Sequence, residues 1–151
     1  MLSCSEDLGT ILPIDDENEI SDPVIVDSDG IEINMSWETE EDYFMLLLDL
    51  VVEDDFNEEI SISENVEPFE TVDIRSNFDE GIYNVIIQGA EFSSFNDNSE
   101  EVTFAISGFN ETEELVFTVN VNELEEFETV TVIQIVVVDD SYTIRQIVDT
   151  I

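Results

Sequence analysis

From Pro23 onward the chain places apolar residues at every second position in one short run after another, and a period of two is the period of a half-buried strand. Ile31, Ile33, Met35 and Trp37 alternate with Glu32, Asn34 and Ser36, so Trp37 falls on an inward face. The same period carries Val72 and Ile74, then Tyr83, Val85 and Ile87, then Val102, Phe104 and Ile106, then Leu115, Phe117, Val119 and Val121. Two runs are more apolar. Tyr43 to Val52 is nearly continuous, too short to span a bilayer, and reads as a central strand buried on both faces; Thr129 to Val138 is β-branched and reads as another. Tyr142 to Val148 pairs with the latter through a turn at Asp139-Asp140-Ser141. Gly, Asn, Asp and Pro separate the runs, as turns require. Eight to ten short strands, with one weak helical candidate at Asn122 to Phe127, predict an all-β chain: an antiparallel β-sandwich of the immunoglobulin-like or jelly-roll kind over residues 23–151. Residues 1–22 show neither strand nor helix period and read as a flexible acidic N-terminal tether.

Composition then limits function. The 151 residues are 42% hydrophobic, enough for a packed core, yet they carry 40 Asp+Glu against 2 Lys+Arg and no His, a formal net charge of -38. Phosphate binding needs Lys and Arg, and this chain offers only Arg75 and Arg145. Nucleic acid is therefore excluded as a direct ligand, and so is an anionic membrane surface except through a lipid anchor. Without His or Lys the chain cannot build a Ser-His-Asp triad, a Cys-His pair, a Schiff base, a P-loop or a His-ligated zinc site. Carboxylate chemistry remains, but forty acids single out no catalytic pair, and the expectation is a protein without enzymatic activity. Spread over roughly 7,800 Å² of folded surface, the carboxylates stand about 14 Å apart. That exceeds the Debye length of about 8 Å in saline and falls inside the roughly 30 Å of dilute buffer, so salt and divalent cations are expected to stabilise the fold. Acids on strand edges also oppose edge-to-edge aggregation.

Three stretches gather oxygen ligands of the kind Ca²⁺ takes: Asp27-Ser28-Asp29-Gly30, Asp54-Asp55-Phe56-Asn57 and Asn96-Asp97-Asn98-Ser99-Glu100. None has EF-hand spacing. The first and third supply the better candidates, Asp27, Asp29, Asn96, Asn98 and Glu100, and Ca²⁺ is the one cofactor expected. The loop aromatics Phe92, Phe95, Phe109 and Phe127 read as plugs for the ends of the core, with stacking on sugar rings as the alternative.

The lone cysteine lies in Met-Leu-Ser-Cys-Ser-Glu-Asp, with a small residue before Cys4 and acids after it. This resembles the cleavage region of a bacterial lipoprotein, and the Ser-Glu-Asp resembles the acidic export signal of surface lipoproteins of the Bacteroidota. The resemblance implies lipid attachment at Cys4. With no second cysteine there is no intrachain disulfide. A second resemblance runs through INMSW ending at Trp37, LLDLVVEDD (47–55), SENVEPFETVDI (63–74) and DEGIYNVII (79–87), which together are similar to the β-sandwich of the bacterial pre-peptidase C-terminal type. Leu47 stands where that family has the first of two acids, leaving Asp49 alone. The resemblance implies an accessory module without catalysis. From the residues themselves, Gly81 gives room for a tight start to its strand, and Tyr83 offers a ring to the core with its hydroxyl at the rim.

These features lead to the expectation of a non-enzymatic cell-surface or extracellular β-sandwich, an outer-membrane lipoprotein attached through Cys4. Adhesion, display or assembly would be its work, with a surface protein, a polysaccharide or further copies of itself as partners. Two alternatives come from other classes. One is an acidic mimic of nucleic acid that blocks a basic DNA-binding protein; the other is a self-assembling filament or coat subunit, in which the tether or last strand completes a neighbour's sheet.

Overall fold

A computed structural model of the protein describes residues 22–37, 48–64, 69–90, 100–122, 124–125 and 127–151. They form ten strands: β1 (Val24–Val26), β2 (Gly30–Trp37), β3 (Leu48–Glu53), β4 (Glu59–Ser63), β5 (Phe69–Arg75), β6 (Gly81–Gly89), β7 (Glu100–Gly108), β8 (Leu115–Val121), β9 (Thr129–Val138) and β10 (Ser141–Gln146). Among the described residues there is no helix. One sheet has the order β8-β7-β2-β5 and the other β1-β10-β9-β6-β3-β4, and every strand pair within them is antiparallel. The chain is an all-β antiparallel sandwich.

The alternation places the core as expected. Ile31, Ile33, Met35 and Trp37 face inward from β2, Val72 and Ile74 from β5, Val102, Phe104 and Ile106 from β7, and Val119 and Val121 from β8. From the larger sheet Leu48, Leu50 and Val52, Tyr83, Val85 and Ile87, and Ile133, Ile135 and Val137 meet them. Strand β3 is buried on both faces, since Val51 is covered on the side opposite Leu50; residues 43–47 of that run lie outside those described. Strand β9 is central, between β10 and β6, and its register shifts at Thr131/Ile133, a bulge that buries Val132 and Ile133 in succession. The β9–β10 hairpin closes on Asp139-Asp140, with Val138 opposite Ser141 and Asp139 at φ 52°, a left-handed conformation that Asp tolerates.

Two expectations are corrected. The helical candidate at Asn122 to Phe127 is a loop in its described residues: Leu124 drops into the core, and Phe127 turns back at φ 65° with its N–H on the Gly89 carbonyl. Three acids in the segment favour a helix's first turn, but Leu124 and Phe127 are too few to make an apolar stripe that holds one there. Phe127, at 60% exposure, also does not plug the core.

The β1–β2 and β5–β6 crossings between the sheets and the β3–β4, β7–β8 and β9–β10 hairpins all fall at one end of the sandwich. That end is strongly acidic. It holds Asp27, Asp29, Asp54, Asp55, Asp79, Glu80, Glu111, Glu113, Glu114, Asp139 and Asp140.

Candidate functional site

Asp27 is the organiser of the acidic end. Its carboxylate is buried and accepts three hydrogen bonds: Oδ1 from the Asp29 N–H (2.8 Å) and the Asn110 Nδ2 amide (2.9 Å), Oδ2 from the Asn110 N–H (2.8 Å). The Asn110 amide also donates to Asp29 Oδ2 (2.9 Å). Burial by itself would raise the Asp27 pKa; the N–H donors of Asn110, Asp29 and Gly30 outweigh it and hold the carboxyl below its ordinary range. Gly108 makes room for this clamp, because a Cβ there would lie 2.9 Å from Asp27 Cβ and collide with Oδ2. The first candidate calcium loop is thus a knot of hydrogen bonds that ties β1–β2 to β7–β8. Of the other candidate ligands, Asn96 and Asn98 lie outside the described residues, Glu100 opens β7, and Cys4 also lies outside. Among the described residues, no group of three or more His, Cys, Asp or Glu is placed to hold a metal ion.

The second candidate stretch, Asp54 to Asn57, is a turn. Asp54 Oδ1 accepts the N–H groups of Phe56 and Glu58, both at 2.9 Å, and Asn57 takes φ 62°. Tyr83 sits as expected, its ring in the core and its hydroxyl donating to the Asp79 carbonyl. Phe109 is half-buried under Arg75, whose guanidinium lies 4.6 Å from the ring centroid and 3.0 Å from Asp73.

Two buried acids, Glu70 and Asp49, lie outside the candidate ligands, and only Asp49 drew notice in the sequence, through the second resemblance. Glu70 is fully buried and accepts from Ser63 Oγ (2.7 Å), a bond that joins β4 of one sheet to β5 of the other. Its period with Val72 and Ile74 signals an inward position, though not the partner. Asp49 lies on the outer face of β3; burial, and then the charge of Glu64, raise its pKa.

Among the described residues, one stretch of the larger sheet's outer face is free of acids. Outward positions on β1, β10, β9 and β6 carry no carboxylate: Val26, Ser141 and Val138 form one cross-strand row, and Val24, Thr143, Val136 and Ile82 the next. Arg145, Gln134 and Asn84 make the third, with Gln134 Nε2 donating to Asn84 Oδ1 (3.2 Å). Val24 (52%), Val26 (63%) and Val138 (53%) are exposed. Beside this face, between the edge of β1 that no described strand pairs and the start of β8, runs a groove of about 410 Å³ with Ile25 and Leu115 in its walls and Glu111, Glu113 and Glu114 along it. No family model matches the chain, and no curated protein or solved structure is significantly similar to it.

Proposed function

We propose that the protein works by binding and not by catalysis, as a β-sandwich of adhesion, display or assembly presented at a cell surface or outside the cell. The observation that supports this reading is the valine face. In a chain of net charge -38, four neighbouring strands keep their outward positions free of acids and expose β-branched side chains instead. Valine exposed in cross-strand rows is desolvated cheaply, and the missing carboxylates remove the repulsion that a second acidic molecule meets elsewhere. Homotypic contact through this face is the mode that fits. Cys4, by its resemblance to a lipoprotein cleavage region, would be the attachment point, and mass spectrometry of the membrane fraction would detect the acylated N-terminal peptide.

Beads coated with the full chain test the contact. In saline they are expected to clump, and Val136→Glu or Val138→Glu, which place a charge among the valines, should abolish clumping while leaving the thermal transition within a few degrees. Beads that stay dispersed at every ionic strength, or that clump equally with the variants, would overturn the reading.

A further inference from the structure

We infer that the groove between β1 and β8 receives an extended, basic segment of a partner protein, which adds as a strand to the edge of β1. This surface shares Val24 and Val26 with the valine face but uses the backbone of β1, not the outward side chains.

Among the described residues the hydrogen-bond pattern leaves that edge unpaired. The Asp27 N–H donates to the Asp140 carbonyl (2.9 Å) and the Ile144 N–H to the Pro23 carbonyl (2.9 Å), while Ile25 stands opposite Tyr142. Antiparallel ladders alternate, so Ile25 turns its N–H and C=O to β10, and Val24 and Val26 turn theirs outward to the groove. The opposite wall is half closed. Asn120 and Asn122 donate their N–H groups to the carbonyls of Asp149 and Ile151, both at 2.8 Å, and Ile151 returns a bond to Asn120. Gln146 Nε2 covers the Thr118 carbonyl (2.8 Å). The chain's own 149–151 segment therefore seals the sandwich side at one end, and beside β1 the groove remains.

Charge selects the occupant. Main-chain edges accept any strand, whereas Glu111, Glu113 and Glu114 put three exposed carboxylates along the groove. A second copy brings only Arg75 and Arg145, and Arg75 is paired with Asp73. Residues 1–22 carry acids and no Lys or Arg. The complementary segment belongs to another protein, with apolar residues for Ile25 and Leu115 alternating with Lys or Arg for the glutamates.

The test uses the ¹⁵N-labelled full chain and a capped peptide of alternating Lys and Val. Binding is expected to slow amide exchange at Val24 and Val26. N-methylation of the peptide's valines, which keeps the charge but removes the ladder, should weaken binding about tenfold or more, and so should the triple variant Glu111→Gln, Glu113→Gln, Glu114→Gln. Val26→Pro, which deletes an N–H the sheet does not use, should do the same; if it unfolds, the N-methylated peptide carries the comparison. Equal binding of both peptides with shifts spread over the acidic surface, equal binding of a Glu-Val peptide, or no binding would each overturn the inference.

Discussion

Asp27 and Tyr142 lie near each other at the acidic end and illustrate opposite fates for a buried polar atom. Asp27 has three N–H partners, so Asp27→Ala should leave them unpaired and cost about 1–3 kcal/mol, a fall of about 2–4 °C in Tm per kcal/mol for a domain of this size. Because its pKa is lowered in the fold, its contribution is present above the ordinary carboxylate range and is lost as pH falls through the depressed value. The acid limb of a Tm-against-pH curve should therefore flatten in Asp27→Asn. The Tyr142 hydroxyl is buried with no hydrogen-bond partner among the described residues. Burial first, then the charges of Asp140 and Asp27, raise its pKa. Folding thus opposes its ionisation, and stability falls as pH rises past the usual tyrosine value of about 10. Tyr142→Phe should hold or raise Tm at neutral pH and shift alkaline unfolding upward, read by circular dichroism; a clear loss of stability would reveal a partner for the hydroxyl. Neither fate was legible in the sequence, because Asn110 is 83 residues from Asp27 along the chain.

At the scale of the element, the period of two located strands well. What it left open was their ends and edges. Strand β8 has inward Leu115 and Phe117 only half-buried and Val119 and Val121 fully so, because a crossing segment, 147–151, covers the latter half of its edge. Nothing in Ile-Val-Asp-Thr-Ile announces a parallel bridge to Asn120. Gln146→Ala removes bonds to the Thr118 and Val148 carbonyls, with an expected cost of about 1 kcal/mol and faster amide exchange at Asn120 and Asn122. Unchanged exchange there would mean that the tail holds without Gln146. Gly108→Ala drives a methyl into the Asp27 carboxylate and should cost about 1–3 kcal/mol by denaturant melt.

For the whole molecule the governing quantity is the net charge of -38. Eleven of its acids gather at one pole, so repulsion there is stronger than an even 14 Å spacing suggests. Tm should rise steeply as NaCl goes from about 0.01 M to about 0.15 M, where the Debye length drops from about 30 to 8 Å, and then flatten. Adding Ca²⁺ at matched ionic strength separates screening from coordination. A saturable extra shift would direct attention to residues 96–100, since the Asp27 carboxylate is already committed to N–H donors. Equal shifts with Ca²⁺, Mg²⁺ and NaCl would assign the effect to screening.

Alternation by itself determined the all-β class, the inward residues of most strands and the β9–β10 hairpin, because side-chain direction along a strand is a local property of the backbone. Composition by itself excluded phosphate ligands and His- or Lys-dependent chemistry. Only the tertiary structure decided that Asp27 is a hydrogen-bonded clamp, that Glu70 bridges the two sheets through Ser63, and that valines from β1 and β9 align into one neutral face. Those outcomes depend on strand order and register, which join residues far apart in sequence; a one-residue slip would have turned the same valines into the core.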